Sequence, residues 1–307
     1  MGIDAPIVIV NPRSGRGLTA ARWAKLVGPI TDGLGPFDTR FTEAPDDGRR
    51  IAREESAAGR RLIVALGGDG TVSEVANGIM EGGARAELGI IPRGTGGDFR
   101  RTLELPTDIA QAARRAREAP SRRIDVGRAT FTAHDGSRTA RHFVNVASFG
   151  FSSAVATKAN ASSKQLGGRV AFLSATIRTL ATYDNTDLWL AADGGERRRR
   201  TLLMAALGNG RFFGGGMKIC PDAVLDSGCL DLVEVGDLGR MEVLGNLHRL
   251  FGGTHVSLPD VKTQRVHRLD AAPVDADAVV PLELDGETPG RLPAVFEALP
   301  GALAIRF

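Results

Sequence analysis

The sequence predicts an α/β protein in two parts: an N-terminal doubly wound parallel sheet, then a mainly antiparallel β-sandwich domain. Three observations carry this. Apolar β-branched runs alternate with helical periodicity as far as about residue 120, and such βαβα order implies parallel strands. From Arg123 the texture shifts to short strand-like runs broken by turn signals such as His134-Asp-Gly136 and Asp193-Gly-Gly195. The 307 residues suffice for two domains with real cores, and neither an internal repeat nor a low-complexity linker interrupts them.

The first strand is expected at 6–10, before a loop at Asn11–Gly17. A helix near 18–31 follows, with Trp23, Leu26, Val27 and Ile30 as its apolar stripe. Strand 37–42 leads to helix 46–58, and strand 62–66 to helix 72–81. Strand 88–91 leads through the loop Pro92–Phe99 to helix 107–118. In helix 72–81, Val72, Val75, Ala76, Ile79 and Met80 recur on one face, and Gly82-Gly83 stop it. The second part shows strand-like runs at 124–131, 141–147, 188–192, 201–207, 230–235, 261–269 and 279–284. Amphipathic helices at about 168–182 and 239–251 interrupt them.

The chemistry begins at Gly67-Gly-Asp-Gly-Thr71, where strand turns into helix. Glycines let the backbone approach a phosphate, and a helix N-terminus offers it unpaired N–H groups. Asp69 is the odd part, because a carboxylate beside a phosphate is repelled unless a cation or a transferred proton lies between them. The segment therefore suggests nucleotide phosphate plus metal. Glu74 has capping-box spacing from Thr71, so it either reaches back to the Thr71 N–H or contacts a ligand.

This turn alone would also suit 6-phosphofructokinases and NAD kinases. Asn11–Gly17 and Pro92–Phe99 narrow the choice, since each also follows a short apolar strand. In an open parallel sheet such loops gather at the carboxyl edge and line one crevice. Gly68, Gly70, Thr71 and Thr95 can then donate to phosphates, with no Gly-Lys-Ser/Thr loop to supply a lysine. Arg13 and Arg16 either add positive charge there or are solvated. Asp285-Gly-Glu287, after the run 279–284, is on its residues alone a hairpin turn.

Together the motifs Asn11-Pro-x-Ser-Gly15, Gly67-Gly-Asp-Gly-Thr71-x-x-Glu74-Val-x-Asn77-Gly78 and Pro92-x-Gly-Thr95-x-x-Asp98-Phe99 resemble the diacylglycerol kinase catalytic-domain family. Its members include bacterial soluble lipid kinases, sphingosine kinases and ceramide kinases. Asn209-Gly-Arg-Phe-Phe-Gly-Gly-Gly216, Pro221-x-Ala-x-Leu-Asp-x-Gly228 and Asp285-Gly-Glu287 follow in the family's order, so the likeness covers nearly the whole chain. One departure stands in the third loop, where Gly97 replaces an Asn.

The resemblance implies a lipid kinase moving the ATP γ-phosphoryl group to a lipid hydroxyl, of diacylglycerol or a related glycerolipid. It implies a nucleotide-binding domain at 1–124, with a returning C-terminal segment of about 295–307, and a β-rich lipid-substrate domain at 125–294. ATP contacts are expected from Asn11, Thr42, Gly68, Asp69, Gly70, Thr71, Val72, Ser73, Glu74 and Thr95. Asp285 becomes the general base at the interdomain cleft, with Glu287 beside it and Asp69 as the third catalytic carboxylate. Catalytic Mg²⁺ falls to Asp69, Asp98 and Asp125, although Asp125 also reads as a polar residue on an exposed strand face. The carbonyls of Val224, Ser227 and Cys229 would hold a structural Mg²⁺ or Ca²⁺. Family proteins often have Asp where Ser227 stands.

Composition sets the surroundings. Hydrophobic residues make up 42% and charged residues 24%, as in a soluble globular chain. No apolar run approaches the roughly 20 residues of a membrane span. Two cysteines, Cys220 and Cys229, give no disulfide framework and only two soft ligands for zinc, and no signal segment opens the chain. A cytoplasmic enzyme is expected, peripheral at the inner face of the membrane and in transient contact with anionic lipid. Arg197–Arg200 is either that contact or a solvated hairpin arm. With a net charge of +3 and no aromatics interleaved among the basic residues, nucleic acid is not an expected partner. A homodimer stays open. The competing readings are an NAD kinase and a catalytically silent lipid- or nucleotide-binding sensor.

Overall fold

A computed structural model describes residues 4–94, 96–161 and 175–307. The chain forms two compact units, Met1–Ile124 with Gly301–Phe307, and Asp125–Pro300. The return segment expected from about 295 belongs to unit 1 only from Gly301.

Unit 1 is built on the strands β1 (Ile7–Val10), β2 (Asp38–Phe41), β3 (Leu62–Gly67) and β4 (Glu87–Pro92). They lie parallel in the order β4-β3-β1-β2. The end of the last strand, β15 (Glu287–Arg306), adds beside β4, with Ala304 opposite Glu87 and Ile305 opposite Leu88. The helices are α1 (Ser14–Gly17), α2 (Thr19–Leu34), α3 (Asp47–Ala57), α4 (Asp69–Glu81), α5 (Asp98–Thr102) and α6 (Ile109–Glu118). Val8, Val10, Val64, Leu66 and Ile91 pack against Leu26, Ile30 and Leu34 of α2 and Ala112, Ala113 and Ala116 of α6. Neighbouring strand residues point the other way, and Ile7, Ile9, Ile63 and Ala65 are just as buried on the side of α3 and α4. Burial on both faces is why these strands read as continuous apolar runs.

Two boundaries differ from expectation in a way that matters for the site. α4 begins at Asp69, so Gly70 and Thr71 already belong to its first turn and Gly68 is its N-cap. Of the two readings of Glu74, the capping box with Thr71 therefore does not form. The first and third loops also carry short helices, α1 and α5, that sequence periodicity could not reveal in four or five residues.

Unit 2 is antiparallel. Its strands are β5 (Ser121–Ala133), β6 (Arg138–Phe143), β7 (Val146–Gly150), β8 (Thr186–Ala192), β9 (Arg198–Leu202), β10 (Met204–Gly208), β11 (Leu230–Val235), β12 (Val261–Val266), β13 (Arg268–Pro273) and β14 (Pro281–Leu284). One path runs β12-β11-β10-β7-β14-β15, while β13-β8-β9 and β5-β6 extend from β15. Phe131, Phe143, Phe149, Leu207, Leu232, Leu282 and Phe296 fill the sandwich interior. The opposite face of β7, β10 and β11 presents Val146, Met204, Ala206, Val233 and Val235 to a second core. α7 (Phe151–Ala161) supplies Phe151 and Val155 to that core. The single helix expected at 239–251 is two, Arg240–Asn246 and Arg249–Gly252. The helix expected at 168–182 lies partly outside the described residues, and 175–180 are helical.

Candidate active site

The three glycine loops converge in unit 1. They line a cavity of about 950 Å³, counting the part open to solvent. Gly15 comes from the first loop, Gly67, Gly68 and Asp69 from the second, and Arg93, Gly94 and Gly97 from the third. The second and third loops touch through bare backbone: a Cβ on Gly94 would stand 2.6 Å from the Gly68 Cα. The cavity thus opens at the N-terminus of α4, where Gly68 is extended and free N–H groups begin. Arg22, Arg93 and Arg100 line it as well. None of these three was anticipated. The expected Arg13 is exposed at the start of α1, and the side chain of Arg16 lies outside the description. Arg93 stands inside the third motif and Arg100 directly after it, whereas nothing in the sequence marks Arg22.

Asp69 does not face a ligand alone. Its Oδ2 accepts the N–H of Gly97 at 2.8 Å and of Asp98 at 3.3 Å, and its Oδ1 accepts Phe99 N–H at 3.2 Å. A carboxylate at the start of a helix satisfies donors that have no intrahelical partner. Asp69 therefore ties the second loop to α5. Gly97 is the N-cap of α5 with φ 64° and ψ 40°. Asn and Gly are the residues that best tolerate this left-handed conformation, so the Gly97 departure keeps the loop's shape.

The other expected nucleotide residues mostly hold the loops. Asn11 Nδ2 donates to the buried Thr71 Oγ1 at 3.0 Å, joining the first loop to α4. Glu74 accepts Gly48 N–H at 3.0 Å and Asp46 N–H at 3.3 Å, so it secures the start of α3. Thr42 is buried just past β2, its N–H on the Val10 carbonyl at 2.9 Å. Ser73 is buried within α4, where its carbonyl accepts Asn77 Nδ2 at 2.9 Å. Val72 lines the cavity with Gly68 and Asp69, Gly70 is helical, and Thr95 lies outside the described residues. Asp98 is buried and paired with Arg101 Nη1 at 2.8 Å. Among the described residues, no three His, Cys, Asp or Glu side chains gather to hold a metal ion.

In unit 2 the Asp-Gly turn is indeed a two-residue hairpin: Leu284 pairs with Glu287, and Asp285 and Gly286 have φ 50° and 92°. A hairpin does not require what the Asp285 side chain does. It is 8% exposed, and its carboxylate accepts the N–H groups of Val144 and Asn145 at 2.9 Å and of Val146 at 3.2 Å. Glu287 is exposed.

Asp125 is buried, not on an exposed strand face, and its Oδ2 accepts the Gly228 N–H at 2.5 Å. Its own N–H donates to the Leu225 carbonyl at 2.6 Å, so it braces the loop expected to bind a structural cation. Within that loop Ser227 is a brace too. Its N–H donates to the Val224 carbonyl at 3.3 Å and its hydroxyl to the Cys229 carbonyl at 3.1 Å. Cys220 is buried against Asp231, and burial first, then that carboxylate's charge, pushes its thiol far up, so it is inert.

Unit 2 also holds a cavity of about 660 Å³, counting its open part, that no motif announced. Phe151, Met204, Met217, Leu247, Leu250 and Val261 are among its apolar walls. The helices at 240–252 show it Val243, Leu247 and Leu250, and turn Met241 (79% exposed) and Phe251 (55% exposed) outward. The arginine run is largely engaged elsewhere: Arg197 stacks on Trp189, Arg199 pairs with Asp187 at 2.5 Å, and Arg200 lies 3.6 Å from Glu234. No helix among the described residues is long and apolar enough to cross a membrane.

The diacylglycerol kinase catalytic domain matches residues 5–129, and the YegS C-terminal NAD kinase beta sandwich-like domain matches residues 145–307. A diacylglycerol kinase of Staphylococcus carnosus is 29% identical over 94% of this chain and 90% of its own length. A Pseudomonas savastanoi pv. phaseolicola protein described as "Probable lipid kinase YegS-like" is 33% identical over 88% of this chain and 83% of its own. The crystal structure of a diacylglycerol kinase from Bacillus anthracis superposes with a TM-score of 0.73, at 23% identity, over 99% of this chain and 97% of its own. Yeast NADH kinase shares the fold alone, with a TM-score of 0.51 at 12% identity over 98% of this chain and 82% of its own. The chain belongs to the diacylglycerol kinase catalytic-domain family, with the YegS-type C-terminal domain. It is a lipid kinase, a phosphotransferase whose family implies ATP as donor.

Proposed function

We propose that this family member transfers the ATP γ-phosphoryl group to the hydroxyl of a glycerolipid, diacylglycerol or a relative of it, with Asp285 as general base. The observation that carries the acceptor is the apolar cavity of unit 2, which suits an acyl chain. The donor's triphosphate belongs in the glycine-lined cavity of unit 1, against the start of α4 and the three arginines. Arg22, Arg93 and Arg100 take the place of the absent P-loop lysine. Mg²⁺ would enter with the triphosphate, and Asp69, in the wall of the same cavity, would be the carboxylate beside it. In the loop at 221–230, which Ser227 and Asp125 brace, the carbonyls of Val224, Ser227 and Cys229 would be the groups to hold a structural cation.

Phosphoryl transfer asks mostly for placement and charge neutralisation. The lipid hydroxyl oxygen bonds to the γ-phosphorus, the bond from phosphorus to the bridging oxygen breaks, and ADP leaves. Asp285 takes the hydroxyl proton and later passes it to solvent. Three main-chain donors fix the orientation of its carboxylate, and placement is what a carboxylate base needs. Membrane contact falls to Met241 and Phe251, which lie on the outer side of helices that wall the lipid cavity.

The test is incubation of purified protein with labelled ATP, Mg²⁺ and a total bacterial lipid extract, beside a parallel reaction on NAD. A labelled phospholipid is the expected product. Label in NADP and none in lipid would overturn the proposal.

A further inference from the structure

The three N–H groups that hold Asp285 belong to the corner between β6 and β7, at residues 144–146. Two of them sit on peptide groups whose carbonyls are held by residues 209 and 210. The Val144–Asn145 peptide gives its N–H to Asp285 Oδ1 at 2.9 Å, and its carbonyl accepts Asn209 Nδ2 at 2.8 Å. The Asn145–Val146 peptide gives its N–H to the same Oδ1 at 3.2 Å. Its carbonyl accepts the N–H groups of Asn209 at 2.8 Å and Gly210 at 2.7 Å. Asn209 is fully buried, and its Nδ2 also donates to the Asp125 carbonyl at 2.7 Å. Carbonyls only accept, so the amide must face both of them with its nitrogen. Asn145 Nδ2 completes the grip by donating to the Phe212 carbonyl at 2.7 Å.

A peptide group is planar and rigid, so a bond that fixes its oxygen also fixes the direction of its N–H. A bonded carbonyl also polarises its peptide and strengthens the N–H at the other end. Asn209 therefore acts on Asp285 Oδ1 through two peptide groups. We infer that Asn209 is a positioning residue for the general base, setting the direction of two of the N–H groups that aim the Asp285 carboxylate. The inference rests on the proposed role of Asp285 and adds the group that maintains it. The stretch Asn209–Gly216 carried part of the family likeness without an expected role for any residue in it. The bond pattern supplies one for its first residue.

The test is a double-substitution cycle of Asn209→Ala and Asp285→Asn. Turnover is measured with labelled ATP, Mg²⁺ and the total bacterial lipid extract, below the melting point of every variant. Asn209→Ala alone should lower turnover about 10- to 100-fold, the scale of a misaimed catalytic group, with the KM for ATP changed less than about twofold. In the Asp285→Asn background the same substitution should change the residual rate less than about twofold, because no base remains to aim. If Asn209→Ala melts too low to assay, Asn209→Ser, which keeps a hydroxyl donor, takes its place in the cycle with a smaller loss expected. An Asn209 variant at full rate beside a disabled Asp285→Asn overturns the inference and leaves the general base standing. So does an equal loss in both backgrounds, which would make Asn209 a brace of the fold. Near-normal turnover of Asp285→Asn removes the base and the inference with it. A second readout needs no activity. In ¹H–¹⁵N spectra the Asn145 amide proton should move upfield in the Asn209 variant as its bond to Asp285 weakens. An unmoved resonance overturns the inference even where no lipid is phosphorylated.

Discussion

Asp69 in unit 1 and Asp285 in unit 2 are held alike, each carboxylate accepting three main-chain N–H bonds. Their settings differ. Asp69 takes its donors from the start of one short helix and welds two glycine loops together. Asp285 takes its donors from the corner between β6 and β7 and stands in a hairpin turn, where no helix end needs it. The same bonds tie two loops together in one place and, in the other, hold the carboxylate we propose as general base. A carboxylate in a kinase motif is therefore not a metal ligand by default.

The contrast is sharpest under substitution. Asp285→Asn removes the proton acceptor and turns an amide NH₂ toward one of the main-chain N–H donors, so turnover should fall by about 10²–10⁴, with ATP affinity retained and some stability lost. Near-normal turnover in steady-state assays would make Asp285 architectural like its counterpart. Asp69→Ala should instead unfold more easily, by about 2–3 kcal/mol in urea titrations, because three donors at the start of α5 lose a charged partner. If its stability is normal and only activity drops, Asp69 serves the ligand after all.

Gly94→Ala tests whether the cradle depends on bare backbone. A methyl group would press on the Gly68 Cα, and overpacking of this kind costs about 1–3 kcal/mol, so ATP affinity by calorimetry should fall at least about tenfold. Unchanged affinity would move the nucleotide elsewhere. The smallest expected effect concerns the bilayer. Met241→Ser with Phe251→Ser should weaken sedimentation with vesicles about tenfold, from the apolar area lost. Replacing Arg197 through Arg200 by Ser should change it less than about twofold, since three of the four are already engaged. The reverse order would restore the arginine run as the docking element.

Much of this architecture was legible because its signals are local. The βαβα alternation, the three loops after three strands and the change of texture near Arg123 all lie within short windows of sequence. What stayed hidden depends on distant partners. The donors to Asp69 lie 28 to 30 residues away, and the donors to Glu74 lie 26 and 28 away. The body of β15 was missed because Pro289, Gly290, Pro293 and Pro300 break any strand pattern. The apolar cavity of unit 2 is a shape formed by side chains that each read as ordinary core.

The pairing of β15 with β4 has a consequence for synthesis. Residues 301–307 close the open side of β4, yet they emerge long after residue 124. At a translation rate of about 5–20 residues per second, the interval is roughly 10–40 s. Through that time the first unit exposes an unpaired strand edge, the kind of surface that recruits other chains. A nascent chain must keep that edge from neighbours until its own C-terminal strand arrives, which gives cellular chaperones a defined place to act.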